Sequence, residues 1–530
     1  MTTSLQLTAE QRQIIHYPGD MTINACAGSG KTTTCVEYAA NRPSTDRILY
    51  IAFNRSVRLE AQTRFARRGL RNVDVHTAHS LAYRYVMKNS FYTLSKSGEL
   101  SLPDVVDTFQ LKEKFGTKNA TQLAAHVRRF FSYYCNSEAE HLCELDYSDT
   151  ISAIDRKATV FINKYLSHII HYSALILERM KEGTMSISHD FYLKLFQLKN
   201  INLPYDVILF DEGQDASATM LAVFLRQKAI KIIVGDESQA IYGFRFAVNS
   251  LQRVAREPGD RFRAFSLSNS FRFGPPIASL ADCVLDWKRI IDPEYRRVPI
   301  VGRNRTERRG VQCHATIGRT NISVLAEAIE SLCVREEIGS LYFEGQFSSY
   351  TYMDSGASLM DILHMRMGRP RLIRNPLLQA MEGIDELKEY IDLTGEKAMK
   401  IALEVVEKYQ EDLPYFLEQI KAAHQDDAGR LQADRIFSTV HRCKGMEYDS
   451  IQIEDDFIEL PMLFDKLGQL EKLPEGAGKD LMKEQLREEV HMLYVAVTRT
   501  RHEISLPLGL EGNYQSYRQR NASAEALETV

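Results

Sequence analysis

The chain has 530 residues, 44% of them hydrophobic and 26% charged, and a formal net charge of −4. By length it holds roughly three or four domains, with ample apolar material for buried cores. No apolar run approaches the ~18 residues of a membrane span, residues 1–7 lack the basic and apolar regions of a secretory signal, and the eight scattered cysteines form no C-x-x-C pair and no zinc-spaced Cys/His cluster.

An intracellular globular protein without disulfides, structural metal or membrane contact is the expectation. Nucleic-acid affinity follows local charge more than the sum. Two arginine clusters bear on it, Arg296, Arg297, Arg303, Arg305, Arg308 and Arg309 in one stretch and Arg366, Arg369, Arg371 and Arg374 in another; each reads equally well as a polyanion contact or as a solvated loop.

Leu7-Thr8-Ala9-Glu10-Gln11 begins a helix capped by Thr8, and the Gln11 amide has the donor and acceptor that reading an adenine requires. A short apolar run, residues 21–23, then feeds Asn24-Ala25-Cys26-Ala27-Gly28-Ser29-Gly30-Lys31-Thr32-Thr33. This reads as a phosphate cradle: small residues let backbone N–H groups turn inward, Lys31 adds a point charge, and Thr32 offers a hydroxyl to Mg²⁺. Ala25 stands where the strict pattern asks for glycine.

Residues 48–53 form an apolar run short enough for a strand buried in a parallel sheet, ending at Phe53 and Asn54, where open α/β sheets bind ligands. Val73-Asp74-Val75 is another strand candidate, leading to His76-Thr77-Ala78-His79-Ser80; with no third metal ligand in sight, these histidines read as hydrogen-bonding groups. From about Tyr85 to Ser188 the pattern turns helical and polar, as in an inserted lobe. Its cluster Arg128-Arg129-Phe130-Phe131-Ser132-Tyr133-Tyr134 reads as core in preference to a base-stacking platform.

Tyr205-Asp206-Val207-Ile208-Leu209-Phe210 runs directly into Asp211-Glu212. An apolar strand delivering two carboxylates supplies one group to hold Mg²⁺ and a second to orient an attacking water, which implies hydrolysis and not binding alone. Another apolar run, residues 230–234, leads to Gln239, placed to sense a γ-phosphate, and to Tyr242, Phe244 and Arg245, placed to meet bases or backbone.

In this order, and interrupted by a helical lobe, these stretches resemble the successive motifs of superfamily 1 DNA helicases of the UvrD, Rep and PcrA type. Leu267-Ser268-Asn269-Ser270-Phe271-Arg272-Phe273 resembles the motif in which an aromatic stacks on adenine and an arginine reaches the γ-phosphate, here Phe271 and Arg272. Gly318-Arg319-Thr320-Asn321 fits the same pattern. Thr439-Val440-His441-Arg442-Cys443-Lys444-Gly445-Met446-Glu447-Tyr448 is similar to the motif whose histidine contacts DNA and whose glutamate serves the nucleotide, here His441 and Glu447. Leu493-Tyr494-Val495-Ala496-Val497-Thr498-Arg499-Thr500-Arg501 resembles the last motif and places Arg499 on the arginine finger. Gly213 replaces a common Ala, and Phe271 and Phe244 replace the more usual Tyr and Trp. The finer likeness, carried by Asp190-Phe191-Tyr192-Leu193-Lys194-Leu195, Ile241-Tyr242-Gly243-Phe244-Arg245 and Ser270-Phe271-Arg272-Phe273-Gly274, is to the helicase core of the eukaryotic F-box DNA helicase and its bacterial or phage-borne relatives. Met1 lies immediately ahead of the Gln11 motif, so no F-box is expected.

The resemblance implies an α/β fold of two RecA-like P-loop motor domains, parallel sheets with flanking helices, each with a mainly helical insert. The expected bounds are 1–85 and 189–260 for the first motor domain, 86–188 for its insert, 261–330 and 432–510 for the second, 331–431 for its short insert, and 511–530 for a tail. It implies a DNA-dependent ATPase using ATP and Mg²⁺ and moving 3′ to 5′ on single-stranded DNA, at duplex/single-strand junctions, in repair or recombination control. Lys31, Arg272 and Arg499 would neutralise γ-phosphate charge, Thr32 and Asp211 would hold Mg²⁺, Glu212 would orient water, and Gln239 would sense the γ-phosphate. Gln11, the cradle Ala25, Cys26, Ala27, Gly28, Ser29, Gly30, Lys31, Thr32 and Thr33, and Phe271 and Glu447 would bind the nucleotide. Phe53, Asn54, Thr77, His79, Tyr242, Phe244, Arg245 and His441 would meet DNA. The shortened second insert also suits a translocase that strips proteins without much unwinding, and a third reading is a nucleotide-gated subunit with a protein partner in a repair or defence complex. Localisation would be nuclear in a eukaryote, or cytoplasmic and nucleoid-associated if bacterial or phage-borne.

Overall fold

The computed structural model describes residues 6–88, 90–150, 156–255, 261–304, 313–352, 356–379, 381–394 and 397–528. The chain divides into two compact units, Met1–Phe271 with Leu473–Glu488, and Arg272–Lys472 with Glu489–Val530.

Among the described residues of the first unit, β1 (Met21–Ala25), β2 (Ile48–Ala52), β3 (Val73–Thr77), β4 (Val207–Phe210), β5 (Ile230–Gly235) and β6 (Arg263–Leu267) form one sheet in the order β3-β2-β4-β5-β1-β6. Every pairing is parallel. Parallel sheets are covered on both faces, so their central strands read as unbroken apolar runs; all five residues of β2 and all four of β4 are buried. The register brings the carboxyl ends level, with Ala25 opposite Leu267, Ala52 opposite Thr77, and Ile51 opposite Phe210. The loops leaving that edge are the ones that bear the motifs.

One face is packed by Ile14, Val36, Tyr38, Ala61 and Phe65 from the helices Ala9–His16, Lys31–Ala40 and Arg55–Arg67. On the other, Leu49, Ile51, Ile208 and Phe210 join a single cluster that continues into the helical lobe through Phe130, Phe131, Tyr134, Ile169 and Tyr172. Phe130, Phe131 and Tyr134 are thus core, whereas Tyr133 packs against Phe246, with ring centroids 5.2 Å apart.

The expected boundary at residue 260 is corrected. Arg263–Leu267 pairs with β1 along its whole length, and without it β1 would be an edge strand with unmet backbone groups. The chain therefore divides at Phe271 and Arg272, and Leu473–Glu488 also falls with the first unit.

Among the described residues of the second unit, β7 (His314–Gly318), β8 (Leu341–Phe343), β9 (Arg435–Thr439), β10 (Tyr448–Ile453) and β11 (Thr500–Ser505) lie in the order β8-β9-β7-β10-β11, again all parallel. The segment 331–431 is only partly an insert: it contributes β8 to the sheet, and its apolar residues Leu359, Ile362, Leu387, Met399, Val406 and Ile420 share one cluster with Leu325 and Ile329 of the helix Asn321–Ile329. The tail is the helix Leu508–Glu528, tied by Tyr514, which donates to the Pro276 carbonyl at 3.1 Å. Each unit is thus the helix-flanked parallel sheet of a RecA-like motor domain. Arg305, Arg308 and Arg309 lie outside the described residues, while Arg366, Arg369, Arg371 and Arg374 are exposed. Among the described residues no helix is long and apolar enough to cross a membrane.

Candidate nucleotide site and nucleic-acid surface

The cradle follows β1. Gly28 and Gly30 have φ of +73° and +81°, the left-handed region that glycine enters without steric cost. Gly30 stands immediately before the helix Lys31–Ala40, so the loop lies at that helix's positive end. Ser29 Oγ is buried and has no hydrogen-bond partner in the protein. An orphaned buried hydroxyl is costly, and a phosphate or hydrated cation in the loop would satisfy it.

Gln11 is buried against this loop. Its Oε1 accepts the Thr8 N–H at 2.9 Å, and its Nε2 donates to Thr34 Oγ1 at 3.2 Å, which in turn donates to the Gly30 carbonyl at 3.0 Å. The amide expected to read adenine therefore has a protein partner at each end and ties the first helix to the cradle. Phe271 is also drawn in, its N–H donating to the Gly28 carbonyl at 2.9 Å while its ring stays exposed.

Lys31, at the start of its helix, meets the two carboxylates that follow β4. Lys31 Nζ lies 2.7 Å from Glu212 Oε1. Burial alone would pull the ammonium down, but the charges of Glu212, Asp211 and Asp236 outweigh it and raise its pKa. Asp211 is buried; desolvation and the neighbouring Glu212 charge push its carboxyl up to about 6. Its Oδ2 accepts from the Tyr50 hydroxyl, and its Oδ1 accepts the Glu212 N–H at 3.0 Å. A buried carboxylate beside a hydroxyl and a lysine fits a Mg²⁺-bound polyphosphate, which would supply the missing positive charge.

Glu212 has φ +53°, strained for a residue with a Cβ. It is held there by Lys31 and by Gln214 Nε2. Gln214 Oε1 accepts the Asp236 N–H, and Asp236 accepts from Gln239 Nε2 at 2.8 Å, so one hydrogen-bonded relay joins Lys31 to Gln239. The glycine at 213 has a local cause: a Cβ there would collide with Ile233 Cγ2 on β5.

At the same sheet edge Phe53, leaving β2, stacks on Tyr242, with centroids 5.4 Å apart and planes at 25°. Phe244 packs against Tyr242 at 6.0 Å, and Arg245 lies over both rings. Phe53 and Phe244 are exposed, so the group is an accessible aromatic and cationic platform. Asn54 and Thr77 cap the helices Arg55–Arg67 and Ala78–Val86, accepting from Val57 N and Ser80 N, and His79 sets its ring edge-on to His189 and Tyr192. Structure therefore gathers Phe53, Tyr242, Phe244 and Arg245 and gives Asn54 and Thr77 capping bonds.

In the second unit Arg272 donates to Glu447 Oε1 at 2.9 Å and to the Thr498 carbonyl at 2.8 Å, and Arg501 binds the other Glu447 oxygen at 3.1 Å. Burial would raise the Glu447 carboxyl, but these two guanidinium groups hold it below its usual range. Arg499 is 1% exposed, with Nε donating to the Val495 carbonyl at 3.0 Å and Nη1 to the Met446 carbonyl at 3.4 Å. Burial and the nearby Arg272 charge lower it to about 10. His441 sits on the short helix Val440–Cys443, which Arg442 anchors through Ser349 Oγ and the Glu344 carbonyl.

Three residues with direct roles in these arrangements, Tyr50, Gln214 and Arg442, were not singled out by sequence. Gln214 and Arg442 are near neighbours of motif residues, and Tyr50 is the polar atom in an otherwise apolar strand.

A model of the UvrD/REP helicase N-terminal domain matches residues 7–257, and a model of the UvrD-like helicase C-terminal domain matches residues 374–508. F-box DNA helicase 1 of Gallus gallus is 28% identical over 539 aligned residues, covering 96% of this chain and 50% of that protein. F-box DNA helicase protein 1 of Schizosaccharomyces pombe is 27% identical over 548, covering 94% and 57%. A probable DNA helicase II homolog of Rickettsia conorii is 25% identical over 305, covering 52% and 44%. The chain spans about half the length of the curated relatives it matches. With both halves matched by models of one family and the motif residues assembled at the strand ends, the chain belongs to the UvrD-like helicase family.

Proposed function

We propose that the chain is an ATP-dependent DNA helicase or translocase that moves 3′ to 5′ on single-stranded DNA, in repair or recombination control. The observation that carries this is the Lys31–Glu212 pair at 2.7 Å beside buried Asp211, on the same sheet edge as the Phe53–Tyr242 stack. Thr32 and Asp211 would hold Mg²⁺, which supplies charge that neutralises the phosphate oxygens of ATP. On exchanging Glu212 for a phosphate, Lys31 leaves the Glu212 carboxylate to accept a hydrogen bond from the attacking water. Arg272 and Arg499 are proposed as γ-phosphate contacts on the strength of the family pattern, and the relatives' names as DNA helicases support the substrate.

A second reading, protein stripping from single-stranded DNA with little unwinding, is favoured by one feature. The segment 331–431 shares its core with the helix Asn321–Ile329 instead of forming a body of its own. Strand displacement on duplexes with a 3′ or a 5′ single-stranded tail, run beside displacement of a protein from the tail, separates the readings. Unwinding confined to the 3′-tailed substrate supports the first, and protein removal without unwinding supports the second. Unwinding confined to the 5′-tailed substrate contradicts the polarity.

A further inference from the structure

We infer that Glu10 is a positioning residue for the base end of the nucleotide site, holding Phe271 where its ring can stack on a purine; the inference rests on the ATP site proposed above. Glu10 lies in the first turn of the helix Ala9–His16, adjacent to Gln11. Its two carboxylate oxygens take three hydrogen bonds from the chain just ahead of Phe271: Oε1 from Ser268 Oγ at 2.6 Å, Oε2 from the Ser268 N–H at 3.0 Å and from Asn269 Nδ2 at 3.1 Å. Hydrogen bonds to an ionised acceptor are stronger than neutral ones. Two residues on, the Phe271 N–H is fixed on the Gly28 carbonyl at 2.9 Å.

One helical turn thus grips both walls of the same space. Gln11 holds the cradle side through Thr34, and Glu10 holds the segment that carries the exposed Phe271 ring. The clamp has no contact with Lys31, Asp211 or Glu212 among the bonds that hold it. Its loss should therefore be felt by the base and not by the phosphates.

The test compares equilibrium binding of ATP and of inorganic tripolyphosphate, which has no base, to the full chain. Glu10→Gln keeps the side-chain shape and loses the ionised acceptor, and Ser268→Ala removes a contact without touching the helix. Expected are about tenfold weaker ATP for Glu10→Gln and about threefold weaker for Ser268→Ala, with tripolyphosphate affinity within about twofold of wild type in both. Because Glu10 acts through the ring, Glu10→Gln should cost little more once Phe271→Ala is present. Equal weakening of ATP and tripolyphosphate, unchanged ATP affinity, or full additivity with Phe271→Ala overturns the assignment. Wild-type protein that binds neither ligand overturns the nucleotide site itself, and the inference with it.

Discussion

The Tyr50 hydroxyl donates to Asp211 Oδ2 across two neighbouring strands, while the Glu212 N–H holds Oδ1 of the same carboxylate at 3.0 Å. Both oxygens are thereby oriented in a buried setting where an unmet acceptor is expensive. Tyr50→Phe should lower the turnover of ATP about tenfold and raise the Mg²⁺ concentration for half-maximal rate, with KM for ATP within about twofold. A Mg²⁺ titration at saturating ATP reads this. Unchanged turnover with an unchanged Mg²⁺ profile would show that the phenol only fills space.

Phe244 and Arg245 share one surface, but they should fail differently. Phe244→Ala removes a stacking ring, a loss on the order of 1–3 kcal/mol per base, and should leave the salt dependence of binding alone. Arg245→Ala should reduce the slope of log affinity against log salt by about one, as a lost phosphate contact does. Anisotropy with a labelled oligothymidylate at several salt concentrations separates the two. Identical salt slopes in both variants would remove Arg245 from the backbone.

Much of this was legible in sequence because strands buried on both faces are unbroken apolar runs, and the motifs sit where those runs end. Residues 48–53, 205–210 and 230–234 announce β2, β4 and β5 in this way. β6 does not: Arg263-Ala264-Phe265-Ser266-Leu267 is half exposed and short of an apolar run, so sequence alone sets the division near 260, ahead of a strand that belongs to the first unit. β8 is three residues long inside a helical stretch and gives no periodic signal. The Tyr50–Asp211 bond joins residues 161 apart in sequence, and a tyrosine in an apolar strand reads as core until its partner is placed. The glycine at 213 likewise has its reason in Ile233, on the next strand.

Arg499 is gripped by the Val495 and Met446 carbonyls and by Thr498 Oγ1. If it acts on the transferring phosphoryl group, Arg499→Ala should slow single-turnover hydrolysis by ~10³-fold, the scale of arginine fingers, with ATP affinity within a few-fold. Arg499→Lys should recover little, since an ammonium cannot reproduce the guanidinium fork. Parallel loss of binding and turnover would make the residue structural.

Glu454 gives a stability signature in the second unit. Burial, then the charges of Glu327 and Asp456, raise its carboxyl to about 8 in the fold, against an ordinary value of 4.5. A raised carboxyl favours the fold fully below the unfolded pKa, and that contribution is lost as pH rises through the folded value. Glu454→Gln keeps the neutral form, so its Tm advantage over wild type should be near zero at about pH 4.5, grow toward about pH 8, and level off above, by up to roughly 10 °C. Calorimetry across that range tests it; a pH-independent difference would contradict it.

On the proposed function, the Lys31 site hydrolyses ATP in response to DNA. The most direct measurement is the ATPase rate of wild type and Lys31→Ala with and without single-stranded DNA. Wild type should be strongly stimulated by DNA and Lys31→Ala not at all, with the variant's hydrolysis reduced to background. Equal hydrolysis by the two proteins, or a wild-type rate indifferent to DNA, would contradict it.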